Sequence, residues 1–202
     1  MLSVHPYEPF VPPGATKLII GTIPPVRFCV TPQALRDGDV NFYYGSRDNA
    51  FWPLIEQVTG TAFDYENTEA AVGQRKAFLA GQKLGITDVV NRCVHVDGKS
   101  DDLSLTEIEP KPIRQLLRDH PAVDTLIYTG RSSQNNSVMF LINHHIADSG
   151  RHRSTGDPAG KRVVIGGREY QVILLYSPSP NALRGVDPAT RRRQYAEVFA
   201  NK

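Results

Sequence analysis

Short apolar runs that alternate with helical patterns constrain the fold of this chain more than any other feature. Each run is bounded by glycine or by polar residues, which is typical of strands buried within a sheet. The predicted strands are KLIIG (17–21), GITDVVNRCV (85–94), DTLIYTG (124–130) and QVILLY (171–176). The predicted helices are 51–58, 68–84, 112–118, 132–147 and 188–200. This alternation predicts an α/β fold in which helices cover both faces of an open, mostly parallel, four-stranded sheet.

The length of the chain fits one domain that spans residues 1–202, because the sequence has no internal repeat and no low-complexity linker. No apolar run approaches the roughly 20 residues that cross a bilayer. The opening MLSVHPYEPF has no basic end followed by an apolar stretch, so a secretory signal is not predicted. We therefore expect a cytoplasmic monomer with no membrane partner.

Residues that bind metals or redox cofactors are few. Cys29 and Cys93 are the only cysteines, which is too few for a four-cysteine zinc or iron–sulfur site. A disulfide between them is an alternative, but reduced thiols are the expectation in a cytosolic protein. His144, His145 and His152 do not have the spacing of metal ligands. We expect no cofactor and no metal.

The charge of the chain is unevenly distributed. Residues 1–130 carry 12 Lys and Arg against 16 Asp and Glu, whereas residues 131–202 carry 11 against 5. A basic C-terminal part suits a polyanionic partner such as DNA. A solvated basic surface without a partner is the alternative.

Ligands of open α/β sheets bind outside the carboxyl ends of the strands, so the segments that follow the predicted strands are candidates for a site. They are GTIPPV (21–26), NRCVHVDGKSDD (91–102), TGRSS (129–133) and SPSPNALRG (177–185). FYYGSRDNAFW (42–52), which lies beyond the first of them, has five aromatic residues around Asn49. This segment is predicted to form one wall of a pocket for a flat, polar ring. Alternatively, Asn49 caps the helix that follows.

These motifs resemble those of the uracil-DNA glycosylase superfamily. Three motifs occur in the same order in that superfamily. They are GTIPP after the first strand, the aromatic–N–x–FW element, and SPSPNALRG after the last strand. The likeness is closest to hypoxanthine-DNA glycosylases and mismatch-specific uracil glycosylases, and extends from about residue 5 to 185. It implies a three-layer α/β/α fold with a central parallel sheet. It also implies hydrolysis of the N-glycosidic bond of a deaminated base, hypoxanthine or uracil, that is extruded from DNA.

The resemblance implies a catalytic role for Gly21, Thr22 and Ile23 and a base contact for Pro24. Glycine permits a tight turn, and the prolines hold an extended backbone that faces a base or a water. Many members have Asp or Asn at the third position, where it orients the attacking water. Ile23 cannot do this, and the hypoxanthine branch also lacks a polar residue there. The water-orienting group is therefore unassigned, and a simple strand-to-loop turn is the alternative interpretation.

Asn49 matches the asparagine on which hypoxanthine-branch enzymes rely. Its carboxamide donates and accepts hydrogen bonds, so it suits a base edge or a water near the sugar. Tyr44 aligns with the aromatic residue that stacks on the extruded base, and Phe42 and Tyr43 are alternatives. Core packing is the competing interpretation of these rings and the preferred one for Phe42.

SPSPNALRG matches the loop that grips DNA phosphates. The predicted DNA-binding residues are Ser177, Pro178, Ser179, Asn181, Leu183 and Arg184, with Ser132 as a further phosphate contact or a helix cap. Leu183 and Arg184 are expected to enter the space that the base leaves, although Leu183 also suits a turn before a helix. Many members have a histidine at the head of this loop, where Tyr176 or Ser177 stands here. Its stabilisation of the leaving anion is therefore missing or replaced.

The matched motifs contain no lysine, which disfavours a Schiff-base mechanism. We expect a monofunctional glycosylase in which water attacks the sugar while backbone amides and Asn49 stabilise the departing base. Asp88, a carboxylate within a predicted buried strand, is expected to hydrogen-bond to a neighbouring loop. The alternative function is a nucleic-acid-binding relative that has lost catalysis.

Overall fold

The structure, a computed structural model, describes residues 2–30, 34–95, 105–131, 161–180, 182 and 186–200. The predicted helix at 132–147 lies outside the described residues. So do four of the predicted DNA contacts, Ser132, Asn181, Leu183 and Arg184. No helix within the described ranges is long and apolar enough to span a membrane.

The predicted helices that fall on described residues are present, with ends shifted by a few residues at most. The helices are α1 (Val26–Val30), α2 (Phe51–Thr59), α3 (Glu69–Gly81), α4 (Ile113–Asp119) and α5 (Pro188–Phe199). The start signals operate as the sequence indicates. Thr68 caps α3 by accepting a hydrogen bond from Ala71 N at 3.2 Å, and Asp187 caps α5 by accepting one from Thr190 N at 2.8 Å.

The strands form two sheets. They are β1 (Leu2–Val4), β2 (Lys17–Gly21), β3 (Leu84–Asp88), β4 (Val90–His95), β5 (Leu105–Pro110), β6 (Thr125–Arg131), β7 (Lys161–Ile165) and β8 (Arg168–Tyr176). The larger sheet has the order β3-β2-β6-β8-β7, and its first four strands are parallel. A mostly parallel sheet is therefore confirmed, but it has five strands in the described part of the chain and not four.

The additional strand of this sheet is β7, which pairs antiparallel with β8. The two strands are joined by Gly166 and Gly167, whose φ angles are 60° and 78°. Two successive residues with positive φ form the type of turn that closes tight β-hairpins, and glycine adopts it without steric cost. The dipeptide GG between two apolar runs is thus a hairpin signal in the sequence.

The predicted strand 85–94 is wrong as one element, because the chain leaves the larger sheet after Asp88. The Val89 and Val90 amides donate to the Gly21 and Thr22 carbonyls at 3.0 and 3.1 Å, which turns the chain across the end of β2. Strand β4 then joins β1 and β5 in a separate antiparallel sheet. Asp88, the last residue of β3, pairs with Gly21 at the carboxyl end of β2.

Apolar side chains cover both faces of the larger sheet. In β2, Leu18 and Ile20 face the core formed with α4 and the smaller sheet, whereas Ile19 faces the core formed with α2, α3 and α5. The alternation follows from the two-residue period of a strand. Helices thus lie on both faces, as the sequence predicts, and the smaller sheet shares one face with α4.

Candidate functional site

The carboxyl end of β2 is the centre of the candidate site. Gly21 pairs in register with Asp88 of β3. A methyl group at Gly21 would lie 2.3 Å from Asp88 Oδ1 and 2.5 Å from Tyr44 Oη. Both distances are well inside van der Waals contact, so only glycine lets the carboxylate and the phenol meet over this backbone position.

Replacing Gly21 with alanine is expected to displace one of these two side chains. The expected cost is about 1–3 kcal/mol of unfolding free energy, because the added carbon overpacks a closed site. Gly73→Ala is the matched control, since a methyl group at this helical glycine meets nothing within 4 Å. Urea denaturation at neutral pH measures both variants. Equal stability of the two would contradict the described contact.

Tyr44 joins the loop 42–52 to the end of β6. Its hydroxyl lies 2.8 Å from Thr129 Oγ1. Its ring stacks on Phe51 with centroids 4.4 Å apart and planes 21° apart. Tyr44 is half-buried and has a φ of 55°, which is uncommon for a tyrosine. The loop therefore holds this ring in one orientation at the strand ends, where the sequence predicted a stacking platform.

Phe42 and Tyr43 are core residues in this structure. Phe42 is buried and packs against Phe10 and Trp52, with ring centroids 6.4 Å apart in both pairs. Tyr43 is also buried, and its carbonyl accepts a hydrogen bond from Trp52 Nε1 at 2.8 Å. The core-packing interpretation therefore describes both rings. The single tryptophan, Trp52, holds the loop through its hydrogen bond to the Tyr43 carbonyl.

A buried ion pair that sequence reasoning missed supports the same loop. Asp39 is fully buried, and its two carboxylate oxygens accept hydrogen bonds from Arg27 Nε and Nη2, both at 2.8 Å. The backbone amides of Arg36 and Arg47 add two more hydrogen bonds at 2.8 Å. Burial alone raises the pKa of Asp39, but these hydrogen bonds outweigh it and hold the pKa below its ordinary value. The Arg27 guanidinium also donates to Ser46 Oγ at 2.7 Å, so the ion pair holds the middle of the loop, at Ser46 and Arg47.

Asn49 lies where the loop enters α2. Its Oδ1 accepts a hydrogen bond from Phe51 N at 2.9 Å, two residues further on, which forms an Asx turn at the start of α2. The N-cap residue of the helix is Ala50, so Asn49 is not its side-chain cap. The neighbouring Ala50 amide donates to Pro178 O at 2.9 Å. This bond ties the Asn49 segment to the loop after β8, so two of the predicted site segments lie side by side.

The loop after β8 is braced by its own serine. Ser177 Oγ accepts from Ser179 N at 3.2 Å, and Ser179 O accepts from Ala182 N at 3.0 Å. Pro178 is buried, whereas both serines are half-buried. The described part of the predicted phosphate loop is therefore a tight turn next to Asn49.

The remaining residues of the GTIPPV turn are mostly packed. Ile23 is half-buried and packs against the core on the α4 side, and Pro24 is buried. Thr22 is half-buried, and its carbonyl is used by the Val90 amide. Neither isoleucine nor proline offers a side-chain group that orients a water.

Asp88 forms the contact with a neighbouring segment that the sequence predicted, and its partner is His5. His5 Nε2 lies 2.8 Å from Asp88 Oδ2, and both residues are buried. The position of Asp88 over Gly21 was not predicted, because it depends on the register in which β3 pairs with β2.

No metal centre marks this site in the described residues. No group of three or more His, Cys, Asp or Glu side chains in them is placed to hold a metal. A cleft of about 420 Å³ lies at the start of α3, where Asn41, Thr68 and Lys76 line it. None of its lining residues is a predicted site residue.

Comparison with solved structures adds evidence on the fold. The chain is similar to the solution NMR structure of a protein from Methanosarcina acetivorans that carries the provisional name uracil DNA glycosylase. The TM-score is 0.60 and the identity 18%, over 98% of this chain and 97% of that chain. The chain has a uracil-DNA-glycosylase-like fold. No family model and no curated protein matches the sequence.

Proposed function

We propose that this protein is a monofunctional DNA glycosylase that hydrolyses the N-glycosidic bond of a deaminated base, hypoxanthine or uracil. The observation that carries the proposal is the meeting of three predicted motifs at one sheet edge. Tyr44 Oη lies against Gly21, and Ala50, next to Asn49, is hydrogen-bonded to Pro178. These motifs are far apart in the chain, and a site that holds an extruded nucleobase needs all three.

In this proposal, the base enters beside Tyr44. Phe51 covers one face of the Tyr44 ring at 4.4 Å, and the base stacks on the other. Stacking on an aromatic side chain is worth about 1–3 kcal/mol and helps offset the few kcal/mol that base extrusion costs. The Asn49 oxygen is occupied by the hydrogen bond from Phe51 N, so its amide N–H groups are the ones that contact the base or a water.

The chemistry that follows needs a water and no lysine amine. The bond between C1′ and the base breaks, and the base keeps the electron pair. Donors directed at the departing base stabilise its negative charge. The loop after β8, with Ser177 and Ser179, contacts the phosphates beside the extruded nucleotide.

A base-release panel tests the proposal. The protein is incubated with duplexes that contain hypoxanthine, uracil or xanthine and with an undamaged duplex, and abasic sites are then cleaved with alkali. Cleavage of at least one lesion duplex, without cleavage of the undamaged one, is the expected result. If none of the lesion duplexes is cleaved, the proposed glycosylase activity is contradicted.

A catalytically silent nucleic-acid-binding protein is the second candidate, and the packing of Ile23 favours it. This side chain belongs to the core and leaves the turn without a water-orienting group. Lesion-independent binding that weakens steeply with salt, together with an inactive panel, is the result that this candidate predicts.

A further inference from the structure

We infer that Asp88 is the carboxylate that orients the attacking water, the task that Ile23 cannot perform. The inference rests on the proposed function and assigns a catalytic group to it. Asp88 comes from the strand next to β2, not from the turn in which the superfamily motif carries its polar residue. Its carboxylate nevertheless lies at the turn, because Oδ1 is placed directly over Gly21.

The two oxygens of Asp88 have different surroundings. Oδ2 accepts the hydrogen bond from His5 Nε2 at 2.8 Å. Oδ1 has no hydrogen-bond partner among the described residues, although the residue is only 5% exposed. Oδ1 is not one of the fully buried polar atoms that lack a partner. Solvent therefore reaches this oxygen, and a water or a ligand atom is its expected partner. Oδ1 and Tyr44 Oη crowd the same point over Gly21, so a water on Oδ1 lies beside the proposed base platform.

His5 is placed to position Asp88. Its Nδ1 lies 3.1 Å from Tyr7 N and 3.0 Å from Tyr7 O, which fixes the ring in its plane. The backbone amide of Tyr7 donates to Nδ1 when His5 is neutral, and Nδ1 donates to Tyr7 O when His5 is charged. In both forms Nε2 carries a hydrogen that faces Asp88. His5 thus holds the carboxylate in one rotamer, in which Oδ1 is available to accept a hydrogen bond from water.

The surroundings of Asp88 are compatible with a buried anion. Lys111 is 6% exposed and donates through Nζ to Tyr7 O, on the other side of His5. Burial lowers the pKa of Lys111, and the negative charges of Asp88 and Glu8 partly oppose that effect. Burial, reinforced by the charge of Asp88, raises the pKa of both Tyr7 and Tyr43, so these phenols stay neutral. The charges of Asp88 and Lys111 therefore stabilise each other.

Charge decides which reacting group Asp88 faces. The sugar becomes cationic and the base anionic as the bond breaks, so a carboxylate stabilises the sugar and destabilises the base. Asp88 is therefore assigned to the water and the sugar. The water oxygen bonds to C1′, the C1′–N bond breaks with its electron pair on the base, and the water proton passes to Asp88 Oδ1. The released base recovers a proton from solvent.

The test measures two properties of Asp88→Asn. One is its single-turnover rate of base release, and the other is its affinity for an uncleavable 2′-fluoro duplex. The expected rate falls about 10²–10⁴-fold, the usual contribution of a positioned general base, and the affinity stays within about threefold. The loss is expected to be equal for every base that the wild-type protein releases. Asp124→Asn is the control, because Asp124 is exposed and precedes β6 at the other end of the sheet. It is expected to keep the wild-type rate.

Asp88→Glu and His5→Gln keep the inference testable if Asp88→Asn is unstable. Glutamate keeps the charge but displaces the oxygens, so about a tenfold loss of rate is expected. His5→Ala should lower the rate about tenfold, and His5→Gln, whose amide can donate to Oδ2, should recover most of it.

Three results separate the failures. No base release by the wild-type protein overturns the proposed function and this inference together. Wild-type release with Asp88→Asn within threefold of it overturns the inference alone. If the loss of rate in Asp88→Asn differs more than tenfold between bases, or if the variant loses affinity instead of rate, Asp88 acts in base recognition. That result also overturns the inference.

Discussion

Asn49→Ser is expected to lower the rate of base release about 100-fold without lowering the melting temperature. A serine hydroxyl can also accept a hydrogen bond from the amide two residues further on, so the turn at the start of α2 is kept. Serine has no amide N–H groups, however, and removal of one donor that acts on the transition state typically costs 10²–10³-fold in rate. Single-turnover kinetics and thermal denaturation measure the two effects separately.

Two further variants of Asn49 complete this experiment. Asn49→Asp also keeps the acceptor oxygen and loses the donors, so it should be as inactive as Asn49→Ser. Asn49→Ala loses both and should be inactive and about 1 kcal/mol less stable. Wild-type rates in the serine or aspartate variant would show that Asn49 acts only as a hydrogen-bond acceptor at the start of α2.

Asp39→Asn is expected to destabilise the protein by about 3–5 kcal/mol, the usual cost of breaking a buried ion pair from one side. The amide cannot accept two hydrogen bonds from Arg27 and also those from two backbone amides. Asp37→Asn is the matched control, since Asp37 is exposed two residues away. Urea denaturation at pH 7 measures the unfolding free energy of both variants. A difference of less than about 1 kcal/mol between them would contradict the role of Asp39 in holding the loop.

The same variant has a pH signature. The pKa of Asp39 is lower in the folded protein than its ordinary value of about 3.9. Its stabilising effect is therefore complete above that value and is lost as the pH falls toward the folded pKa. The difference in unfolding free energy between wild type and Asp39→Asn should shrink when the measurement moves from pH 7 to pH 3.

The parallel core of the fold was predictable because its strands are continuous apolar runs. KLIIG and QVILLY contain little else, and both are strands of the larger sheet. The break within 85–94 was not predictable from its apolar content, since Val89 and Val90 continue the run. It arises from hydrogen bonds to Gly21 and Thr22, which belong to a segment more than 60 residues away.

The candidate site was predictable only where a motif carries it. Gly21, Tyr44 and Asn49 belong to recognisable elements, and the structure brings the first two into contact and ties the third to the Pro178 loop. His5 and Asp39 each lie in polar, aperiodic segments. Their partners, Asp88 and Arg27, are defined by tertiary contacts. The sequence therefore predicted a contact for Asp88 but identified neither pair.

The most direct test of the account is a crystal structure of the protein with a duplex that carries a 2′-fluoro analogue of a nucleotide it cleaves. The fluorine destabilises the sugar cation, so the bound nucleotide stays intact. The account predicts that the base leaves the duplex and stacks on Tyr44, with the Asn49 amide within about 3.2 Å of a base or water atom. A base that remains stacked in the duplex, or one bound away from Gly21 and Tyr44, would contradict it.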